Sequence, residues 1–278
     1  MAAQINTNTA LGMQDEILLH YSATLPRCEA LEPVHKFNNF VKAWLISTFM
    51  RPEAQVLDMA CGRGGDLKKF CQNRAGSYYG VDLVPERIEE ARARHSSTSC
   101  TFAAQFEVAD FAQPLQLPSS YNFVSCQFAF HYACDSRERA SQVLTNAAKC
   151  LAEGGYIVLT FPDAGEVVSR IDQTLCWAAK HQSILFERAP TEGFGCKYVY
   201  YQDGSINHLP EYLVPMDLVR NIWEELGLEV VLDRKFEQFY CDHDPTLAHR
   251  MGVKLPLDHD CDLVARLYRA VVLQRWRC

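Results

Sequence analysis

The sequence predicts an α/β fold with a doubly wound, mostly parallel sheet of seven strands and a small β insertion. Two observations predict it. From residue 55 to residue 161, strand-like apolar runs alternate with helical patterns, which is typical of a parallel sheet with helices on both faces. The first run leads into a glycine-rich turn, and the second run ends in Asp82. Because ligands bind at the carboxyl edge of such sheets, we expect a site there.

The composition fits one enzyme-sized domain. The chain has 278 residues, of which 48% are hydrophobic, and a net charge of −7. The acidic balance argues against a generic nucleic-acid coat protein but leaves room for a local basic cleft. We expect a flexible arm over residues 1–30, without the features of a secretory signal, and a single domain over residues 31–278. No apolar run approaches the roughly 20 residues of a membrane helix, so we expect no membrane partner.

The cysteines indicate buried thiols and not a metal site. The chain has 12 cysteines, but no two of them form a Cys-x-x-Cys pair. We therefore expect no zinc site and no other metal. Several cysteines lie in or beside apolar patterns, which favours free thiols in a reducing compartment.

The first five strands and their helices follow from apolar periodicity and from boundary residues. Phe37–Met50 has apolar residues at helical spacing between Pro33 and Pro52. Pro85 marks the start of another helix. The predicted strands are Gln55–Met59, Tyr78–Val81, Phe102–Val108, Tyr121–Phe130 and Tyr156–Phe161. The other predicted helices are Asp66–Asn73, Ser136–Leu151, which Gly154 and Gly155 should stop, and one after Pro162.

After residue 180 the pattern changes to short strands. We place a β insertion at about residues 183–214, with Asp203 and Gly204 in a hairpin turn. Its predicted strands are Ser183–Arg188, Cys196–Gln202 and Ser205–Leu209. The main sheet is then completed by a predicted helix and two predicted strands, which are Met216–Leu226, Leu228–Phe236 and Leu267–Trp276.

The turn after the first strand indicates the ligand. Residues 58–66 read DMACGRGGD, which fits neither the G-x-G-x-x-G dinucleotide fingerprint nor a P-loop. Asp66 near a helix start would repel a pyrophosphate, whereas Asp82 can accept hydrogen bonds from a ribose diol. The pattern therefore favours a cationic nucleoside without phosphates, namely S-adenosylmethionine. The alternative is an ordinary strand–turn–helix with incidental glycines.

Five segments between residues 37 and 214 resemble the eukaryotic and viral mRNA cap (guanine-N7) methyltransferases. They are Phe37–Lys42, Val56–Leu67, Ser125–Tyr132, Phe194–Tyr198 and Pro210–Val214, and Tyr268 extends the match towards the end. The glycine-rich segment alone is common to many methyltransferases, but the other segments are more selective. The resemblance implies a Rossmann-like class I methyltransferase that moves a methyl group from S-adenosylmethionine to guanine N7 of the 5′ cap.

The resemblance implies six residues for the methyl donor: Lys42, Ala60, Asp82, Asp110, Gln127 and Tyr132. Lys42 would lie near the carboxylate of the donor, Asp82 would hold the ribose hydroxyls, and Asp110 would meet the adenine amino group. Ala60 stands where relatives usually have glycine. The alternatives are a surface lysine at 42, a turn cap at 110, a strand-edge amide at 127 and a core aromatic at 132.

On the cap side the resemblance implicates Asn38, Asn39, Arg63, Lys69, Arg94, His131, Glu211 and Tyr268. Glu211 would accept hydrogen bonds from guanine N1 and N2, and Tyr268 would close over the cap. Arg63, Lys69 and Arg94 would suit the triphosphate bridge, with ordinary surface solvation as the alternative. His131 and Tyr268 have structural alternatives as well.

The chemistry implied by this resemblance needs no general base. Guanine N7 has a free lone pair and carries no proton, so attack on the sulfonium methyl is an in-line displacement. Glu211, His131 and Tyr268 would act by positioning and electrostatics. Two other functions stay open: a methyltransferase of a small metabolite, and a non-catalytic RNA-binding module.

The resemblance also implies partners and a location. The expected partner is 5′-capped RNA, and other capping enzymes or the RNA polymerase machinery are further candidates. By family analogy we expect a nuclear protein, with the cytoplasm as the alternative for a viral or parasite enzyme.

Overall fold

The computed structural model describes residues 13–23, 25–117, 120–241 and 244–275. The strands within these ranges are β1 (Gln55–Met59), β2 (Ser77–Asp82), β3 (Ala103–Val108), β4 (Tyr121–Gln127), β5 (Leu151–Pro162), β6 (Cys176–Ala179), β7 (Gln182–Leu185), β8 (Lys197–Gln202), β9 (Ile206–Tyr212), β10 (Leu228–Lys235) and β11 (Tyr268–Arg275). The α-helices are α1 (Met13–Ser22), α2 (Glu32–Phe49), α3 (Leu67–Gln72), α4 (Pro85–Ser97), α5 (Arg137–Cys150), α6 (Ala164–Arg170), α7 (Met216–Glu225), α8 (Pro245–Arg250) and α9 (His259–Ala265).

The main sheet has seven strands in the order β10-β11-β5-β4-β1-β2-β3. Strands β1 to β5 are parallel, and β11 runs antiparallel to both β5 and β10. Helical connections join β1 to β2, β2 to β3 and β4 to β5, as parallel neighbours along the chain require. This confirms the predicted α/β fold with a mostly parallel sheet.

Helices cover both faces of this sheet because its central strands are apolar on both sides. Val56 and Phe123 belong to one buried cluster, which also contains residues of α2, α3, α4 and α9. Their chain neighbours Leu57 and Val124 point the opposite way, into a second cluster with α5 and α7. The period of two along each strand produces this division. No helix in the described ranges has the length and apolar character to span a membrane.

A second, antiparallel sheet of four strands has the order β6-β7-β8-β9. It occupies residues 176–212, where the sequence predicts strands only from residue 183. Strand β6 is short and its residues alternate between exposed and half-buried, so it carries a weak apolar signal. Strand β9 continues past the predicted end at Leu209 because its residues 209–211 are buried against the fold.

The N-terminal region differs from the predicted arm. Residues 1–12 lie outside the described residues, but Met13–Ser22 form α1. Ile17 on this helix is buried, and the helix contacts β9 and α4. The N-terminal sequence was predicted to be an arm because it is polar. The helix α1 buries little apolar surface, so the sequence carries no strong signal for it.

Further element ends differ from the prediction, and two helices besides α1 were not predicted. α2 begins at Glu32 and not at Phe37, and β7 ends at Leu185 and not at Arg188. β4 ends at Gln127 because Phe128 has a φ of +57°, and a 3-10 turn follows at residues 130–133. α5 ends at Cys150 and β5 starts immediately, so the predicted stop at Gly154 lies inside a strand, where its φ is +69°. Trp276, the predicted end of the last strand, lies outside the described residues. The short helices α8 and α9 have no long apolar period to reveal them.

Candidate active site

A cavity of about 560 Å³ opens at the carboxyl ends of the central strands. Asp58 of β1, Asp82 of β2 and Gln127 of β4 face into it. All six residues predicted for the donor line it, and these are Lys42, Ala60, Asp82, Asp110, Gln127 and Tyr132. The strand order places the ends of β1, β2 and β4 side by side, so residues distant in sequence meet at one edge.

The glycine-rich turn bends sharply beneath this cavity. Ala60, Gly62 and Gly64 have φ values of +59°, +52° and +68°, a conformation that glycine adopts freely and that costs other residues about 1–2 kcal/mol. A side chain at Gly64 would also come within 2.5 Å of Leu67. Ala60 therefore adopts a backbone conformation that is more favourable for glycine, and its methyl group faces the cavity.

Asp82 is held by the turn and has no cationic partner among the described residues. The backbone N–H groups of Gly62 and Val84 donate to its two carboxylate oxygens at 2.7 and 3.0 Å. Burial raises the pKa of Asp82, and these N–H donors counteract part of that effect. Among the described residues Asp82 has no ion pair. Each carboxylate oxygen retains a lone pair that can accept a hydrogen bond from a ligand. Asp82 can therefore accept hydrogen bonds from the hydroxyl groups of a ribose, and its negative charge favours a cationic ligand.

Asp110 is already engaged by neighbouring side chains. Its Oδ2 accepts hydrogen bonds from Gln14 at 2.6 Å and from Arg139 at 3.1 Å. Its Oδ1 accepts from the backbone N–H of Ala112 at 2.9 Å, which is the turn-capping contact considered as the alternative. Asp110 lines the cavity and still has acceptor capacity for an amino group.

Lys42 and Lys69 share one buried carboxylate. Lys42 Nζ lies 2.9 Å and Lys69 Nζ 2.7 Å from Asp66 Oδ1, and Lys69 also donates to Asn39 Oδ1 at 2.8 Å. Burial alone would raise the pKa of Asp66, but the two lysines outweigh it and hold that pKa below its usual range. Lys42 borders the cavity, whereas Asn39 and Lys69 support the network behind it.

Glu211 is a buried carboxylate surrounded by hydroxyl groups and a histidine. It is 3% exposed. Tyr198 donates to its Oε2 at 2.6 Å, and Tyr132 approaches its Oε1 at 3.4 Å. Tyr198 lies directly opposite Glu211 in the pairing of β8 with β9. Burial and the adjacent carboxylate raise the pKa of Tyr198 well above its usual value, so its hydroxyl remains a donor.

Two predicted cap residues have buried polar atoms that make no hydrogen bond to the described residues. Nε2 of His131 lies 3.5 Å from Glu211 Oε1, but within the described part of the chain neither ring nitrogen makes a hydrogen bond. The Oδ1 atom of Asn38 is also buried and makes no hydrogen bond to the described residues. Unsatisfied buried polar atoms are costly and rare in folded proteins. These two residues therefore retain hydrogen-bonding capacity, His131 close to Glu211 and Asn38 next to Asn39, the partner of Lys69, although neither lines the cavity.

Tyr132 connects Glu211 to the donor cavity. It lines the cavity, and its hydroxyl lies 2.9 Å from the hydroxyl of Tyr21 and 3.4 Å from Glu211. Gln127, the other predicted residue on this side, is fixed by Thr160, which donates to it at 3.0 Å. Tyr132 therefore contacts both the donor cavity and the Glu211 carboxylate.

The remaining cap-side residues divide into two groups. Arg63 and Arg94 line the cavity, and Arg63 also pairs with Glu90 at 3.1 Å. Tyr268 does not line it; the ring is 7% exposed and packs edge-on against Phe128 at 4.9 Å. The other predicted residues outside the cavity lining are Asn38, Asn39, Lys69, His131 and Glu211.

Sequence reasoning missed the residues that α1 contributes. Gln14, Ile17, His20 and Tyr21 all line the cavity, and His20 also contacts the backbone carbonyl of Ser205 at 3.2 Å. The adjacent His20 and Tyr21, two aromatic side chains in a polar segment, were the one available signal. Their helix has no strong apolar stripe that would have marked it as packed.

The fold and this site define the class: the protein has the fold of the class I S-adenosylmethionine-dependent methyltransferases. The magnesium protoporphyrin IX methyltransferase of Synechocystis, solved with S-adenosylmethionine bound, matches 97% of this chain and 100% of its own at 16% identity and a TM-score of 0.57. An S-adenosylmethionine-dependent methyltransferase of Clostridium acetobutylicum matches 87% of this chain and 92% of its own, with 12% identity and a TM-score of 0.56.

Sequence comparison then identifies the family. Residues 27–258 match the mRNA (guanine-N(7))-methyltransferase domain, and the chain belongs to this family. It is 31% identical to mRNA cap guanine-N(7) methyltransferase 1 of Oryza sativa over 295 residues, which cover 92% of this chain and 80% of the relative. It is 30% identical to the Saccharomyces cerevisiae mRNA cap guanine-N(7) methyltransferase over 254 residues, 81% of this chain and 58% of that protein.

Proposed function

We propose that this protein methylates N7 of the guanine in the 5′ cap of mRNA, with S-adenosylmethionine as the methyl donor. The observation that carries the proposal is the buried Glu211, held by Tyr198 and joined to the donor cavity through Tyr132. Membership of the cap methyltransferase family supports the substrate. A small-metabolite substrate would leave the family match over residues 27–258 unexplained.

The donor side of the site fits S-adenosylmethionine. The bound donor supplies an electrophilic methyl group on a sulfonium. Asp82, with its uncompensated carboxylate, would bind the ribose hydroxyls, and Asp110 would bind the adenine amino group. Lys42 borders the cavity beside Asp66, where it can attract the carboxylate of the donor. Gln127 and Tyr132 complete the wall that faces the cap.

Glu211 gives the cap side its specificity. Guanine offers N1–H and N2–H donors on one edge, and a carboxylate can accept both. We assign Nδ1 of His131 and Oδ1 of Asn38, which make no hydrogen bond to the described residues, to further contacts with the nucleoside. We assign Arg63 and Arg94, which line the cavity, to the phosphates of the triphosphate bridge.

The reaction requires alignment and charge stabilisation but no proton transfer to the enzyme. N7 carries a lone pair and no proton, so nothing has to be removed before attack. Positioning two bound reactants can contribute roughly 7–11 kcal/mol to catalysis. Methylation makes the purine cationic, and the Glu211 carboxylate stabilises that charge as it develops. Tyr198 serves as a positioning residue because it fixes Glu211.

Two variants separate the halves of the site. We expect Asp82→Ala to weaken donor binding by roughly 100-fold, since hydrogen bonds to a charged group contribute about 1.5–3 kcal/mol each.

We expect Glu211→Gln, which keeps the side-chain volume, to lower methyl transfer by at least about 100-fold with donor affinity retained. Calorimetry with S-adenosylmethionine and a methyl-transfer assay measure both quantities, and Glu229→Ala on exposed β10 is the control. Normal turnover by Glu211→Gln would refute the proposal.

We further propose, by family analogy, that the protein works in the nucleus with other capping enzymes or the RNA polymerase machinery. Affinity purification of the tagged protein from fractionated cells tests this. Recovery from the nuclear fraction together with a guanylyltransferase or polymerase subunits would support it. Exclusive recovery from the cytoplasm would contradict the location.

A further inference from the structure

Three potential metal ligands meet at one end of the four-stranded sheet. Cys28, His181 and Asp203 each offer a ligand atom, and these atoms all lie within 4.8 Å of one another. Cys28 precedes α2, His181 lies in the turn between β6 and β7, and Asp203 lies in the turn between β8 and β9. They are separated by more than 20 positions each in the sequence, so no short cysteine motif could have predicted the cluster.

The two turns hold His181 and Asp203 in a fixed relation. Nδ1 of His181 lies 2.9 Å from Asp203 Oδ2, and the backbone N–H of Asp203 donates to the carbonyl of His181 at 3.0 Å. Tyr201 donates a further hydrogen bond to Asp203 Oδ1. His181 is 9% exposed. Buried and oriented side chains need little reorganisation to bind an ion.

The third ligand is brought close by a glycine. Gly204 has a φ of +68°, and a side chain there would lie 2.4 Å from the backbone nitrogen of Cys28 and 2.9 Å from the carbonyl oxygen of Pro26. The turn therefore accommodates the N-terminal segment at a distance that no other residue would allow. The close approach places the Cys28 thiol beside the oriented His181 and Asp203.

We propose that Cys28, His181 and Asp203 bind a zinc ion, with a fourth position left to water. Thiolate, imidazole and carboxylate are the ligands that zinc uses in proteins, whereas magnesium and calcium select oxygen ligands. Bond lengths of about 2.0–2.3 Å hold tetrahedral ligand atoms roughly 3.3–3.7 Å apart, so the 2.9 Å contact between His181 Nδ1 and Asp203 Oδ2 has to open slightly around the ion. Binding releases the thiol proton of Cys28 to solvent, and the neutral imidazole of His181 carries its single proton on the ring nitrogen that faces away from the ion, so that the other nitrogen supplies a lone pair.

A zinc ion there would fasten the N-terminal segment over the donor cavity. Gly204 and Ser205 line that cavity, and His20 of α1 contacts Ser205. The chain runs from α1 to Cys28, so a zinc ion that links Cys28 to the two turns would also restrain α1 beside the cavity. The ion would therefore raise the stability of the region that covers the donor, without taking part in methyl transfer.

Zinc titration of the metal-free, full-length protein tests the proposal. We expect one zinc ion per chain for the wild type and for the control Cys176→Ser, which removes an exposed thiol on the same sheet but outside the cluster. We expect Cys28→Ser and Asp203→Asn to lose affinity by at least about 100-fold, because even outer-shell changes cost 10–100-fold. A competing chromophoric chelator measures these affinities.

Cobalt substitution supplies a direct readout of the thiolate ligand. Co²⁺ bound to Cys28 should show the near-ultraviolet charge-transfer absorption of a thiolate ligand, which Cys176→Ser keeps and Cys28→Ser loses. Circular dichroism verifies that the variants are folded. Equal zinc affinity in wild type and Cys28→Ser, or no stoichiometric binding by the wild type, would overturn the proposal. Neither measurement involves methyl transfer, so the result is independent of the proposed function.

Discussion

At the residue scale, Asp58 shows how strongly this site depends on buried charge. Its carboxylate lines the cavity, is 3% exposed and accepts a hydrogen bond from Tyr78 at 2.9 Å. Burial, with repulsion from Asp66 as the second cause, raises the pKa of Asp58 to about 7. A cationic ligand in the cavity would favour the charged form of this group.

The raised pKa predicts how stability changes with pH. The carboxyl has a pKa near 3.8 when unfolded and about 7 when folded, so between these values the folded protein binds a proton that the unfolded chain has released. Its contribution to the free energy of unfolding is therefore full below pH 4 and is lost as the pH rises through 7.

Asp58→Asn should remove this pH dependence. We expect the wild type to lose about 2–3 kcal/mol more free energy of unfolding than the variant between pH 5 and pH 8, at about 1.4 kcal/mol per pKa unit. Urea denaturation of both proteins at the two pH values measures the difference. Parallel losses in wild type and variant would show that Asp58 ionises normally.

Tyr198 allows the positioning of Glu211 to be tested separately. We expect Tyr198→Phe to lower kcat/KM for cap methylation by about 10-fold with unchanged donor affinity, since it removes the 2.6 Å hydrogen bond to Glu211. Tyr200→Phe is the matched control, because Tyr200 is equally buried on the same strand but bonds to Gln182 and Gln202. Equal effects of the two variants on turnover would contradict this role.

Single site residues could be predicted where a local pattern fixes their place. Asp82 ends an apolar run, so it was expected at the ligand edge, whereas Gln127 lay inside the predicted fourth strand and was implied only by the family resemblance. Glu211 was implied only by family resemblance, because its partner Tyr198 is set by cross-strand register. Tyr21 was missed since its contact with Tyr132 depends on tertiary packing.

At the element scale, α1 forms part of the cavity wall. Ile17 and Tyr21 face the cavity, while Leu19 on the same helix is 68% exposed. The helix is therefore attached to the domain mainly through the face that a ligand would touch. Its contribution should appear in ligand binding more than in global stability.

Removing residues 1–24 should weaken donor binding and leave the fold intact. We expect at least a 10-fold loss of affinity for S-adenosylmethionine, since one buried apolar side chain contributes about 1.5–3 kcal/mol. Calorimetry measures the affinity, thermal denaturation verifies folding, and Leu19→Ala in the full-length protein is the control. A truncated protein that binds the donor as tightly as the full chain would remove α1 from the site.

The ends of elements were harder to predict than their existence. β4 reads as apolar to residue 130, yet Phe128 turns the chain with a φ of +57°. That turn is supported by Thr160, whose carbonyl oxygen accepts from the Phe128 N–H at 2.9 Å. Because Thr160 lies on the neighbouring strand β5, no local pattern could have indicated the turn.

At the scale of the whole molecule, the alternation of apolar runs and helical patterns determined the main sheet correctly. Parallel strands that are buried on both faces give continuous apolar runs, and these are easy to recognise. The four-stranded sheet is half-exposed and uses short strands, so its start at Cys176 was missed. The single domain over residues 31–278 stays a prediction, which limited proteolysis of the full chain can test.

The most direct test of the central claim is to map the methyl group on the product. The protein would be incubated with radiolabelled S-adenosylmethionine and either GpppA-capped RNA or the same RNA with an uncapped 5′ triphosphate. We expect label only on the capped RNA, and after nuclease digestion only at N7 of the cap guanine. Label on uncapped RNA or at another position, or none on either RNA although the donor binds, would contradict the account.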